Sequence, residues 1–212
     1  MSAGLALLGL IPGLAGLLVE VAESSQPNPA DERSASLVPV VVHVVSGTLF
    51  AVLGAFQFPT ALRPGHRTWH RRTGRLLAPL GLTAAVSGLW LTLFYPHLHE
   101  SGALLTAVRL TFGTAMAASI IVGFTAIRRR DVARHLRWMI RAYALALGIG
   151  TQIFTIGFGE AVFGTGDVSH ALLAGAGWAI NLAVAEWVIR SRLNRRAPRG
   201  HMLPRQSAYQ PN

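Results

Sequence analysis

The sequence predicts an all-α protein, a polytopic transmembrane bundle of about six helices with both termini cytoplasmic. Three observations carry that prediction. Of 212 residues, 51% are hydrophobic and only 13% charged, about half the charged share of an ordinary soluble domain. Six apolar runs reach the roughly 20 residues that a helix needs to cross about 30 Å of hydrocarbon. The 19 basic residues are all arginine, and they cluster in alternate connections.

The first run, 5–22, contains Pro12 and the glycines at 4, 9, 13 and 16 in or beside it. It has no basic n-region and no clean small-residue cleavage pattern before Glu23, so it reads as a retained helix rather than a signal peptide. A polar outer loop, 23–36, follows. The runs 37–58, 76–95, 103–127, 138–159 and 170–189 are the second to sixth predicted helices. Each is too long for a strand, and a lipid-facing backbone must satisfy its own hydrogen bonds, which a helix does. Pro39 and Pro79 fall near the predicted helix starts, where proline is tolerated. The chain thus divides into a first helix with its outer loop (1–36), a five-helix membrane core (37–190) and a basic tail (191–212) of disordered composition.

Charge orients the bundle. Seventeen of the 19 arginines lie in the 59–75 connection, in or just after the 128–137 connection, or in the tail with Arg190 just before it, and arginine in short loops stays cytoplasmic. Glu23, Asp31, Glu32, Glu100 and Asp167 fall in the opposite loops, with Glu20 and Glu160 at helix ends beside them. The net charge of +10 is therefore a topology signal, and no nucleic-acid partner is expected. The expected partners are the bilayer itself and anionic lipid headgroups at the cytoplasmic face of the cell membrane; a homo-oligomer or a redox partner is left open. With no cysteine there is no disulfide, thiolate metal site, iron–sulfur cluster or cysteine nucleophile.

Small residues pack membrane helices. Gly47, Ala51 and Ala55 in the second predicted helix, and Gly175, Ala179 and Ala183 in the sixth, form stripes expected to face other helices. Polar residues inside the spans need partners or a task. His43, Arg109 and Glu160 lie at one level, and would form a cluster if their helices are neighbours. In the fifth predicted helix Arg141, Gly148, Gln152, Thr155 and Gly159 share one face, and Asn181 and Glu186 of the sixth are expected to meet it, Glu186 by pairing with Arg141 or Arg190.

The arginine side carries the densest chemistry, in 63–75 (RPGHRTWHRRTGR) and 128–143 (RRRDVARHLRWMIRAY). His66 and His70 are four apart, and His135 precedes Trp138. A field of arginines repels a free divalent cation, so no metal site is expected beyond haem iron. The same field favours anions such as lipid phosphates or haem propionates, with Arg63, Arg71, Arg75 and Arg130 as candidate contacts.

The stretches GTLFAVLGAFQFPTALR (47–63), HRRTGRLL (70–77), AIRRRDVARHLRWMIRAYAL (126–145) and WAINLAVAEWVI (178–189) resemble the predicted bacterial membrane proteins grouped as domain of unknown function 2306. The most specific piece is the run Arg130, Asp131, His135, Trp138, Met139, Arg141. The resemblance covers about 150 residues and implies the fold and the residues that matter, but it brings no established activity. Function rests on the residues. One reading is a small b-type haem-binding or quinone-linked electron-transfer protein with His70, His135 and His43 as ligand candidates. The other is a lipid- or amphiphile-binding or transport module, or a structural accessory protein, with Arg141, Gln152, Asn181 and Glu186 as interior. No hydrolase or transferase motif is present.

Overall fold

The arginine-rich stretches ahead of the third and fifth apolar runs are helical from Arg67 and from Val132 onward. In a computed structural model of the chain the described residues are 4–7, 10–11, 15, 32–57, 67–94 and 102–193. They form α1 (Glu32–Ala55), α2 (Arg67–Phe94), α3 (Ala103–Arg128), α4 (Val132–Ala146), α5 (Gly148–Phe163) and α6 (Asp167–Val188), which ends in a π-helical turn, Ile189–Leu193. Among the described residues there is no strand. Most of the predicted first helix and the whole tail from 194 lie outside them.

Four of these helices, within α1, α2, α3 and α6, are long and apolar enough to cross a membrane, and the bent pair α4 and α5 makes a fifth if it is one span. The protein is multi-pass. Its outward side chains, among them Val86, Ile121, Phe158 and Trp187, contact lipid.

Two helices start earlier than the apolar runs suggest. α2 begins at Arg67, so His70, Arg71, Arg72 and Arg75 occupy its first turns, and Pro79 sits in its interior rather than near its start. α1 begins at Glu32, which leaves Pro39 inside the helix. In both, a polar first turn precedes the apolar part, as expected where a helix emerges from hydrocarbon.

α3 and α4 are joined by a tight hairpin. Arg130 adopts φ 62°, and the Asp131 carboxylate accepts from the Arg134 amide at 2.9 Å, capping α4. The Arg-Asp pair of the quoted motif is thus a turn and a cap.

At the middle of the bundle α1, α2, α3 and α4 converge on Phe50, Ile120 and Tyr143. Close approach is obtained with glycine: a Cβ on Gly81 would lie 2.6 Å from the Phe50 ring and 3.0 Å from Ile120, and one on Gly54 would lie 2.6 Å from Tyr143. The Tyr143 hydroxyl donates to the Ala51 carbonyl at 2.8 Å. The stripe Gly47, Ala51, Ala55 does face its neighbours, with Ala51 and Ala55 buried. Of the second stripe only Gly175 does, against Val108 of α3: Ala179 and Ala183 are exposed, and α6 buries Ala171, Ala174, Gly177 and Ala185 instead. The reason is that α6 is held through Trp178 and Asn181, which turns a different face inward.

The predicted fifth helix, 138–159, is not one helix. It breaks at Leu147 and bends by 42°. The Leu147 amide still donates to Tyr143, and the next regular bond runs from Thr151 to Leu147. Between them the carbonyls of Ala144 and Leu145, whose helical donors would be the amides of Gly148 and Ile149, take side-chain donors from α6: Asn181 Nδ2 to Ala144 at 3.0 Å and Trp178 Nε1 to Leu145 at 3.1 Å. A break inside a membrane is tolerated where the freed backbone groups find such partners.

Candidate functional site

The seam between α4, α5 and α6 is built from the face picked out in the sequence. Arg141 Nε donates to Glu186 Oε1 at 2.5 Å, and its guanidinium carbon lies 4.8 Å from the centre of the Trp138 ring. Thr151 Oγ1 donates to Asn181 Oδ1 at 2.9 Å, and Gln152 Nε2 to the Ala174 carbonyl at 3.1 Å. Gly148 and Gly159 are positions where a Cβ would overlap the Trp178 ring and the Leu173 side chain. Trp178 also stacks on Phe112 of α3, with centroids 5.1 Å apart. Arg141 and Gln152 of this face, with Thr151 beside it, are bonded to α6, while Thr155 Oγ1 bonds the Gln152 carbonyl of its own helix. Trp178 and Thr151 were missed in the sequence. Asn181 marks the face, and Trp178, three residues earlier on the same helix, shares it.

The antiparallel packing of successive helices brings the arginine segments to one end of the bundle. Arg71, Arg75 and Arg130 are exposed there; Arg63 lies outside the described residues. At this end the first turns of α2 and α4 bring His70 and His135 within electrostatic reach of each other. His135 Nδ1 donates to the Gly123 carbonyl at 2.8 Å. His70 interacts with the backbone carbonyl of Gln57, while its Nδ1 is buried without a hydrogen-bond partner. Gln57 Nε2 also bonds Thr73 Oγ1 one turn further along α2. Each imidazole is therefore held by a backbone carbonyl from elsewhere in the bundle, His70 by Gln57 just after α1 and His135 by Gly123 of α3. His66 lies outside the described residues, and among those described no group of three His, Cys, Asp or Glu residues is placed to hold a metal ion.

A family model described as "Predicted membrane protein (DUF2306)" matches residues 40–189. The chain belongs to the DUF2306 family. The matched region runs from α1 to the end of α6 and so contains both the seam and the histidine pair. No curated protein and no solved structure matches this DUF2306 chain.

At the arginine-poor end, the DUF2306 fold does not assemble the cluster expected of His43, Arg109 and Glu160. His43 Nδ1 donates to the Ala84 carbonyl at 2.8 Å and lies 3.3 Å from Ser87 Oγ, with its ring against Gly88. Glu160 Oε1 is bonded to His170 Nδ1 at 2.8 Å. Both are satisfied by nearer neighbours, His43 by α2 and Glu160 by the next helix start. Arg109 is left over.

Proposed function

We propose that the arginine end faces the cytoplasm and that His70 and His135 there hold a b-type haem, making the protein a small electron-transfer-like membrane protein. The observation that supports this is the pair of imidazoles from two helices, each fixed on one side by a backbone carbonyl. A metal-ligating histidine usually donates its second ring N–H to such a carbonyl, which sets the ring orientation and raises its basicity. The buried, unpartnered Nδ1 of His70 fits a ligand role, since a buried polar atom without a partner costs about 1–3 kcal/mol. Two imidazoles are too few for a free metal ion, but they suffice for a porphyrin, which brings four nitrogens of its own. Arg71, Arg75 and Arg130 supply cations for its propionates. Bound there, the iron would carry one electron between ferric and ferrous states. The exposed arginines also favour a second reading, an amphiphile with an anionic head at the same end.

The protein purified from haem-replete cells in mild detergent is expected to show a Soret band that shifts on dithionite reduction. His70→Ala and His135→Ala are each expected to remove it while the helical circular dichroism persists. A colourless wild-type preparation overturns the haem reading, and native mass spectrometry of that sample then tests for a retained amphiphile.

Orientation has its own test, because the chain has no cysteine and any introduced thiol reports alone. In intact cells an impermeant maleimide is expected to label Thr165→Cys, in the α5–α6 turn, and to spare Arg129→Cys at the opposite end. The reverse pattern inverts the topology.

A further inference from the structure

Arg109 has no partner among the described residues, although it lies within a membrane span. It makes no ion pair or hydrogen bond there, and its Nη1 is fully buried. The carboxylates with described side chains are engaged or distant from it in role: Asp131 caps α4, Glu160 is bonded to His170, Glu186 to Arg141, and Asp167 is exposed beside Gly102. Its neighbours along α3, Val108 and Leu110, are apolar. Val108 faces Gly175 of α6, and Gly113, one turn further along the same face, lies against Leu89 of α2. Arg109 is the seventh residue of α3, about 9 Å below the helix start at 1.5 Å per residue. An arginine at that depth can ordinarily extend its head to the interface, but here Nη1 is buried without a hydrogen-bond partner among the described residues. A guanidinium with five donors in such a place calls for an acceptor, and the bidentate acceptors that suit it are carboxylate and phosphate.

We propose that Arg109 anchors the oxyanion head of a single-chain amphiphile that enters the bundle from the arginine-poor leaflet. The depth suits a head group pulled slightly beneath the interface, with its acyl chain along the apolar side chains below. The site lies at the other end of the molecule from the histidine pair and does not depend on the haem reading.

The test uses the full chain in detergent and two probes, oleate and oleoyl-lysophosphatidate, with neutral monoolein as control, read by native mass spectrometry. One or both anionic probes are expected to bind the wild type at least about ten-fold more tightly than Arg109→Leu, the loss expected for one charged hydrogen-bonded contact. Binding of oleate alone identifies a carboxylate source, and of the lysophosphatidate alone a phosphate source. Arg109→Lys, which keeps the charge and guards against a folding artefact, is expected to retain most of the binding. Equal binding to wild type and Arg109→Leu overturns the proposal, as does a parallel loss of monoolein, which would mean an apolar groove. It is also overturned if Glu100→Gln lowers stability as Arg109→Leu does and the two changes are not additive, which would mean an ion pair within the chain.

Discussion

Replacing Trp178 by alanine is expected to destabilise the protein by about 3–5 kcal/mol, the usual cost of truncating a well-packed large aromatic. Three contacts are lost together: the stacking on Phe112, the hydrogen bond to the Leu145 carbonyl and the wall against which Gly148 is seated. Trp178→Phe separates them. It keeps most of the packing and removes only the indole N–H, so its cost is expected to fall to about 0.6–2 kcal/mol, the range for a hydrogen bond between membrane helices. Gly148→Val attacks the same contact from the other side and is expected to cost about 1–3 kcal/mol through overpacking. Unfolding by sodium dodecyl sulfate in mixed micelles measures all three. Amide exchange at Ile149 and Gly150 is expected to rise in Trp178→Ala before it rises in α3. If Trp178→Ala costs no more than Trp178→Phe, the ring does not hold the break.

That break shows where sequence reasoning stops. The run around Leu147 is apolar, contains no proline and has the length of one span, so nothing local ends the helix there. Its cause is tertiary: donors 33 and 37 residues away on α6 replace two backbone bonds, and Gly148 admits the indole. By contrast, the face of Arg141, Gln152 and Gly159 was legible, because helical periodicity fixes which residues point together and an interior polar side chain must point at protein. Depth and charge alone offered Glu186 two partners, Arg141 or Arg190, and the hydrogen bond goes to Arg141. Depth was not enough for His43, Arg109 and Glu160. Residues at one level of a bundle can face different neighbours, and periodicity within each helix does not fix its rotation against the others. The starts of α1 and α2 were missed for a simpler reason, since an apolar-run criterion cannot see a polar first turn. That His70 and His135 share a level was legible, but the carbonyls of Gln57 and Gly123 that hold them lie on other parts of the chain that no spacing connects.

The second large effect is expected at the Arg141–Glu186 pair. Both side chains are partly buried, at 24% and 33% exposure, so removing one leaves the other's charge poorly solvated at the arginine end. Arg141→Leu and Glu186→Leu are each expected to cost about 1.5–3 kcal/mol, the range for hydrogen bonds to charged groups. Arg141 additionally loses its position over the Trp138 ring, which makes it the costlier of the two by about 0.5–1 kcal/mol. The double variant discriminates a coupled pair from two independent contacts. Because the charge stranded by each single change is absent when both are gone, the double variant is expected to cost less than the sum of the singles by about 0.5–3 kcal/mol. Arg141→Lys retains the charge but not the planar fork, and is expected to recover only part of the loss. Additive costs in the same micelle titration would mean that the two charges act separately, and that α4 and α6 are joined at this end by packing rather than by the ion pair.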